Sequence, residues 1–355
     1  MNILLIANEL KYACGVTNHL LHLSHGLLKS KKVKLWIICG GGNGLDRFED
    51  IDLKITVDKR FLHKERNIKN FVSSISHLVS FIKKNKIEIV HSHTHYAANI
   101  ARNASKFIRL KTVQTNHGLL RTKGVLKHFS ADKYIAINEH IYNYILKNNI
   151  SKRKNVKFIR CGIPVPSEFL QKDYSKIKVI ASSRFDFEKG LDIYIKAVAK
   201  LRDKIKSNAE FYIAGAGEHE AELKKLSNEK NAGIHFLGIV KDMYKLLSET
   251  HIFVYPSRSD SEGFPAVITE AGATGNLMIS SDFIGSENVI EDNVDGLIFK
   301  QNDYISLKNI LMKVLENYNE FIPVSKKLYR KTKKWFDMDT MINKHIELYE
   351  ACLEK

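Results

Sequence analysis

Two carboxylates, Glu262 and Glu270, stand on either side of a glycine turn in the stretch Phe253–Ser280. The stretch reads as a strand end, a polar loop, a turn, a short helix and a further strand. Glu262 falls in the loop before Gly263. The helix is expected to open near Phe264–Pro265, because a proline in the first turn removes no hydrogen bond. Glu270 then lies about two turns into it, able to point back at whatever the loop holds. The free N–H groups of such a helix start suit an anion. Upstream, Arg184 and Lys189 flank Phe185–Glu188, just before a helix predicted from Gly190. Two cations beside a helix N-terminus suit a diphosphate. Ala214-Gly-Ala-Gly-Glu218 ends a strand and opens a helix, and Gly215 and Gly217 are expected to let a ligand come close to the backbone. A buried acid can take the two hydroxyls of a ribose, a part open to Glu270, whereas Glu262 is better placed for a reacting group.

Such residues need strand ends to hold them. Asn2–Ala7 is a short apolar run of the kind that forms a buried parallel strand. Gly15 follows, and then a helix with Leu20, Leu23, Leu27 and Leu28 on one face, which is the opening of a nucleotide-type α/β unit. The Gly40–Gly44 loop is not followed by GK[ST] and reads as a connection. Strands are predicted at Val33–Cys39, Ile87–Val90, Lys111–Thr115, Tyr134–Ile137 and Val156–Ile159, with helices over Asn67–Lys84 and from Asn138. His91, His93 and His95 alternate directly after Ile87–Val90. Alternate residues of an extended chain share a face, so a metal site is one reading. With no acidic or cysteine partner nearby, a strand end lining a cleft is the other, and no metal ligands are expected. After Gly162-Ile-Pro-Val-Pro166, residues to about Lys176 read as a linker. The cycle then restarts with strands at Val179–Ser182, Glu210–Ala214, Ile234–Leu237, Ile252–Tyr255, Leu277–Ser280 and Leu297–Phe299. Helices are expected over Gly190–Lys204, His219–Lys230, Met243–Leu247, Tyr304–Tyr318, Pro323–Trp335 and Met338 to about Leu353. This βαβα alternation predicts an α/β protein with two Rossmann-like doubly wound domains, and a ligand cleft between them at the strands' carboxyl ends.

With 355 residues and 44% hydrophobic content, the chain can build two cores. No run reaches the ~18 apolar residues of a transmembrane helix, and the apolar start is too short for a signal segment, so a cytoplasmic protein is expected. Four scattered cysteines without a CxxC suit reduced thiols. The net charge of +17 is uneven: residues 1–160 carry 29 Lys+Arg against 10 Asp+Glu, and the remainder 27 against 29. Such asymmetry points to an anionic surface or acceptor on the first half. No nucleic-acid motif accompanies it, so nucleic acid is not expected as a partner.

The second half resembles the family 4 glycosyltransferases of the GT-B fold. The resemblance is carried by Ser183-Arg-Phe-Asp-Phe-Glu-Lys-Gly190, Ile213-Ala-Gly-Ala-Gly217, Phe236-Leu-Gly238, Tyr255-Pro-Ser, Glu262-Gly-Phe-Pro, Glu270-Ala and Asp295-Gly-Leu-Ile-Phe299. In the first half Gly15 with its helix, His91-Ser-His93 and Thr115-Asn-His117-Gly118 match more loosely. The resemblance implies transfer of a sugar from a nucleotide donor with retention of configuration, without a metal or other cofactor. It implies that Arg184 and Lys189 bind the donor diphosphate, that Glu270 holds the ribose, and that Glu262 lies beside the transferred sugar. His117 is then expected to reach that sugar, Gly15 to lie near the phosphates or the acceptor, and Gly215, Gly217, Leu237, Gly263, Phe264 and Pro265 to line the donor site. It further implies a domain 1–165 for the acceptor, a domain 176–335 for the donor, and a helix at 336–355 packing back on the first. The expected product is a capsule, lipopolysaccharide or other surface polysaccharide, built on a glycan or lipid-linked acceptor at the inner face of the membrane. UDP is the default donor base of the resemblance. Three places depart from the family pattern: Leu277 replaces a usual proline, Phe283-Ile-Gly-Ser-Glu-Asn288 has one glycine where two are usual, and Cys14-Gly15 replaces Gly-Gly. A sugar-nucleotide epimerase or phosphorylase on the same fold, or a non-catalytic nucleotide-sugar-binding subunit, are the alternative readings.

Overall fold

The computed structural model describes residues 1–12, 14–118, 131–259, 266–283, 286 and 289–354. They divide into two compact units, Met1–Ile163 with Met338–Lys355, and Pro164–Asp337. The first unit has seven parallel strands: β1 (Asn2–Ile6), β2 (Lys34–Cys39), β3 (Lys54–Val57), β4 (Ile89–Ser92), β5 (Lys111–Asn116), β6 (Lys133–Ala136) and β7 (Val156–Phe158). Their order is β3-β2-β1-β4-β5-β6-β7. The chain starts in the middle and winds outward both ways, so β1 and β4 are neighbours, with Ile3 opposite Ile89. Buried apolar side chains alternate between the two faces of the sheet, as a strand's twofold period requires. Ile3, Leu5 and Ile37 pack on one face against Leu20, Leu23 and Leu27 of α1 (Gly15–Lys29). Leu4, Ile6 and Ile38 pack on the other against Leu78 and Ile82 of α2 (Ile68–Asn85) and Ile100 of α3 (His95–Ala104). The next helix, α4 (Glu139–Lys147), is capped by Asn138, whose side chain accepts from the Ile141 N–H at 2.7 Å.

The second unit repeats the plan with six parallel strands: β8 (Ile177–Ser182), β9 (Ala209–Ala214), β10 (Ile234–Gly238), β11 (Ile252–Tyr255), β12 (Leu277–Ser281) and β13 (Leu297–Phe299). The order is β10-β9-β8-β11-β12-β13. Its helices are α5 (Leu191–Ala199), α6 (Asp203–Lys206), α7 (Glu220–Glu229), α8 (Met243–Glu249), α9 (Ala266–Ala273), α10 (Tyr304–Glu316) and α11 (Ile322–Trp335). α5 and α10 cover one face through Tyr194, Val198, Leu307 and Leu311. α8, α9 and α11 cover the other through Leu247, Ile268, Ala271 and Leu328. The last helix, α12 (Met338–Leu353), belongs to the first unit. It lies against α1 where Gly26 has no side chain: a Cβ there would sit 2.2 Å from Ile342 Cγ1.

Several elements differ from the expectations. The edge strand β3 and the helix α3 were not anticipated. The helix expected over Gly190–Lys204 is two pieces, because the chain turns at Lys200–Arg202 to bury Leu201 in the core and set Arg202 against Glu316. Residues 164–176, read as a linker, are packed into the second unit. The Phe169 ring stacks edge-on against Tyr329 and fills the space beside Gly275, and Lys172 Nζ donates to the Leu247 and Thr250 carbonyls at the end of α8.

Candidate active site

In a doubly wound sheet, ligands bind beyond the carboxyl ends of the strands where the winding direction reverses. In the second unit that point lies between β8 and β11. Arg184 follows the end of β8 by two residues, with its guanidinium 3.0 Å from Asp186 Oδ2 and most of its side chain in solvent. Lys189 closes a short 3-10 turn, Phe187–Lys189, and donates to the Tyr255 hydroxyl at 3.2 Å, at the end of β11. Gly190 then caps α5 at φ +64°, and a Cβ there would lie 2.0 Å from the Pro256 carbonyl oxygen. Both cations thus belong to the short loop between β8 and α5, which leads into a helix N-terminus of the kind whose backbone N–H groups favour an anion.

Gly215 and Gly217 follow β9. Gly215 has φ +132°, and a Cβ there would meet the Ser183 carbonyl oxygen at 1.9 Å, while one on Gly217 would meet the Phe185 carbonyl oxygen at 2.6 Å. The space these glycines leave is taken by the chain's own Ser183–Phe185 backbone. They were expected to admit a ligand; what they do is lay one strand-end loop directly on the loop that carries Arg184. Leu237 is exposed at the end of β10. Glu270 is half-buried on α9. It is the fifth residue of that helix as described from Ala266, so it stands one turn in. Glu262, Gly263, Phe264 and Pro265 lie outside the described residues.

Arg258 is a residue the sequence reading missed. Its guanidinium makes a paired contact with both oxygens of Asp192 on α5 (2.6 and 2.8 Å), donates to the Phe187 carbonyl at 3.0 Å, and reaches Asn302 Oδ1 at 2.7 Å. Its backbone N–H donates to the Glu188 carbonyl at 2.8 Å. Arg258 thus ties the loop of Lys189 to the chain that leads into residues 260–265. In sequence it is one more loop cation; only the charge opposite, Asp192 in the first turn of α5, was there to be noticed.

In the first unit the reversal lies between β1 and β4. His93 and His117 each directly follow a strand, β4 and β5, and His93 Nδ1 stands 3.2 Å from His117 Nε2. His19, one turn into α1, lies over both, with ring centroids 5.4 Å from His93 and 4.9 Å from His117. Behind them His91 is held at both ring nitrogens, by the Tyr349 hydroxyl and Thr115 Oγ1, each at 2.7 Å. The alternating trio does not share a face as an extended chain would arrange it: His95 begins α3 and turns to Gln114. Burial, and then the neighbouring imidazoles, hold His19, His91 and His93 well below the usual histidine range; burial, and then Arg66, push His95 down to about 4, and His117 is pushed down to about 3, by burial first and then by His95 and His345. Gly15 opens α1, and a Cβ on it would touch nothing within 4 Å. The preceding loop is braced by Arg47, which donates to the Tyr12 carbonyl at 3.1 Å and to Asn18 Oδ1. The Gly40–Gly44 loop packs on the same segment, with Gly40 N–H on the Asn8 carbonyl at 2.7 Å, and serves as a connection.

Two parallel doubly wound units of this kind make up the GT-B architecture. Comparison with known families gives the class. Residues 13–165 match the model of Glycosyltransferase Family 4 and residues 167–335 that of Glycosyl transferases group 1. The chain belongs to this glycosyltransferase family. An uncharacterised glycosyltransferase of Methanocaldococcus jannaschii is 27% identical over 210 residues, 56% of this chain; the match spans about half, 53%, of that protein's length. The N,N'-diacetylbacillosaminyl-diphospho-undecaprenol alpha-1,3-N-acetylgalactosaminyltransferase of Campylobacter jejuni is 21% identical over 92% of this chain and 93% of its own. Among solved structures, Anabaena Alr3699/HepE in complex with UDP and glucose superposes with a TM-score of 0.82 at 17% identity, over 99% of this chain and 100% of that one. At that identity the likeness speaks for the fold.

Proposed function

We propose that this glycosyltransferase moves a sugar from a UDP-sugar to a lipid-linked or glycan acceptor, with retention of anomeric configuration, in the synthesis of a surface polysaccharide. The observation that supports a diphosphate donor is the placing of Arg184 and Lys189 on the one loop between β8 and α5, with Lys189 held on the Tyr255 hydroxyl at the end of β11, the strand that leads towards Glu270. In that arrangement the cations neutralise the departing nucleotide diphosphate, the task a divalent ion performs in other transferases. Glu270 holds the ribose. Glu262 and His117 orient the transferred sugar, and the leaving phosphate takes the acceptor's proton on the same face. Leu237, Gly263, Phe264 and Pro265 line the donor site, and Gly15 serves the phosphates or the acceptor. The lipid-linked acceptor draws support from the undecaprenol-linked substrate in the name of the Campylobacter relative.

The test is turnover of a panel of nucleotide sugars with and without a polyprenyl-diphosphate glycan, in wild type, Glu262→Gln and His117→Ala, with product configuration read by NMR. Turnover is expected with UDP-sugars, to persist in EDTA, to give a product of the donor's configuration, and to fall by about 100-fold or more in Glu262→Gln, the scale of a lost transition-state contact. Full rate in that variant would remove Glu262 from the chemistry; an inverted product would overturn retention.

A further inference from the structure

We propose that His19, His93 and His117 form a binding site for a divalent transition-metal ion of the zinc class. Each offers one ring nitrogen, and the three nitrogens lie within 4.8 Å of one another. An ion with bonds of about 2.0–2.1 Å to imidazole keeps its nitrogens roughly 3.4 Å apart in a tetrahedron. His93 Nδ1 and His117 Nε2, at 3.2 Å, already have close to that spacing, and the His19 nitrogen lies within 4.8 Å of the ligand atoms of both. A proton shared between His93 and His117 would satisfy those two nitrogens but does nothing for His19. That ring is only 3% exposed, and among the described residues neither of its nitrogens has a hydrogen-bond partner. A neutral imidazole always carries one N–H and one lone pair, and a buried polar group left with neither paired calls for a ligand. A metal ion supplies one to all three rings at once.

The donor set selects the ion. Three imidazoles without a carboxylate suit zinc, cobalt, nickel or copper, whereas magnesium and calcium require oxygen. The site is therefore chemically distinct from any diphosphate-bound ion. His91 packs behind His93 with ring centroids 4.2 Å apart, and is itself held by Tyr349 and Thr115; such supports fix ligand orientation. His117 is half-buried, and three protein ligands leave the fourth position of a tetrahedral ion to water or another ligand. On the role given to His117 above, the ion and the transferred sugar compete for one imidazole. The binding itself does not rest on that role.

The experiment is a titration of the full-length, chelator-stripped protein with Co²⁺, read by the visible absorption that near-tetrahedral cobalt gives. One equivalent is expected to bind, and Zn²⁺ to displace it and raise the thermal unfolding temperature. His93→Asn and His19→Leu should each weaken Co²⁺ binding by about 100-fold or more, since even changes in outer supporting groups cost 10–100-fold. His19→Leu replaces the unpaired ring by an apolar side chain of similar size, so its fold is kept and its unfolding temperature in EDTA should equal or exceed wild type. His140→Ala, on an exposed position of α4, should bind as wild type does. No visible band at millimolar Co²⁺, or equal affinity in wild type and His19→Leu, overturns the proposal and leaves the three rings around a water molecule.

Discussion

Arg184 and Lys189 do their proposed work from different supports. Arg184 is paired with Asp186, and its side chain is 63% exposed; an exposed ion pair contributes little to stability. Arg184→Ala should therefore leave the melting temperature nearly unchanged, while the affinity for UDP falls by roughly 10–100-fold, the worth of a charge-assisted hydrogen bond of about 1.5–3 kcal/mol. Calorimetric titration with UDP beside a thermal melt checks both halves; a matching loss of stability would make Arg184 a structural residue instead. His251 gives a prediction about pH. Its Nδ1 accepts the Lys178 N–H at 3.0 Å and its Nε2 donates to the Asp173 carbonyl at 2.8 Å, so the ring is neutral with its proton on Nε2. Burial, partly offset by the bond to Asp173, pushes it down to about 4. The unfolded chain takes up a proton near pH 6.5 and the folded one does not until about pH 4. Stability is then full above pH 6.5 and is lost as pH falls between those values, by up to about 1.4 kcal/mol per pH unit. Gln at this position can accept and donate in the same way without titrating. His251→Gln should reduce the slope of stability against pH in that window by up to about 1.4 kcal/mol per pH unit, one proton's share, the other buried histidines supplying the rest, and an unchanged slope from denaturant melts would show that His251 takes no part.

The loops that carry these residues are held by contacts between elements, and the clearest is Arg258 on Asp192. Burial pushes the Asp192 carboxyl up, but hydrogen bonds from Arg258 and Lys196 outweigh it and hold it below the usual carboxylate range. Removing Arg258 leaves that carboxylate partly buried with one partner fewer and frees the Phe187 carbonyl. Arg258→Ala should cost about 2 kcal/mol and also weaken UDP binding, although the side chain is not assigned to the ligand. A double-mutant cycle with Asp192→Asn should show a coupling of about 1–3 kcal/mol; a coupling near zero would mean that the loop is held by its backbone alone. Arg258 also shows where sequence reading stops. The central strands were legible because they are buried on both faces and read as unbroken apolar runs. The edge strand β3, Lys-Ile-Thr-Val, is half in solvent and carries no such run. In α3 the buried side is Ala97, Ala98, Ile100, Ala101 and Ala104, a surface of alanines that hardly departs from its polar surroundings. The loop of Arg184 and Lys189 was legible because it is a local motif between the end of β8 and the start of α5. The clustering of His19, His93, His117 and His345 was not, because those residues come from α1, the ends of β4 and β5, and α12, and only the winding of the sheet and the return of the last helix bring them together.

At the scale of the molecule, charge divides as the units do. The unit formed by residues 1–163 and 338–355 carries 31 Lys+Arg against 14 Asp+Glu, and residues 164–337 carry 25 of each, so the entire net charge of +17 lies on the first unit. That distribution has no bearing on the fold, since each unit has its own sheet and core, but it sets what the first unit attracts. On the same unit α2 presents Ile68 at 85% and Val72 at 60% exposure, one turn apart, with Lys64 and Lys69 exposed alongside. Apolar side chains on the outer side of a helix, rimmed by lysines, suit insertion at the surface of an anionic bilayer, where each basic residue contributes about 1 kcal/mol and the aliphatic side chains enter the headgroup region. No described helix is long and apolar enough to cross a membrane. The protein should float with phosphatidylglycerol vesicles at low ionic strength, remain in solution with phosphatidylcholine vesicles, and be released from the former by roughly 0.5 M salt, at which the Debye length falls well below 8 Å. Ile68→Glu with Val72→Glu should abolish flotation without lowering the melting temperature, because neither side chain is part of the core. Equal failure to float with both lipids would take the membrane out of the account, and flotation that survives the double substitution would move the contact from α2 to another part of the basic unit.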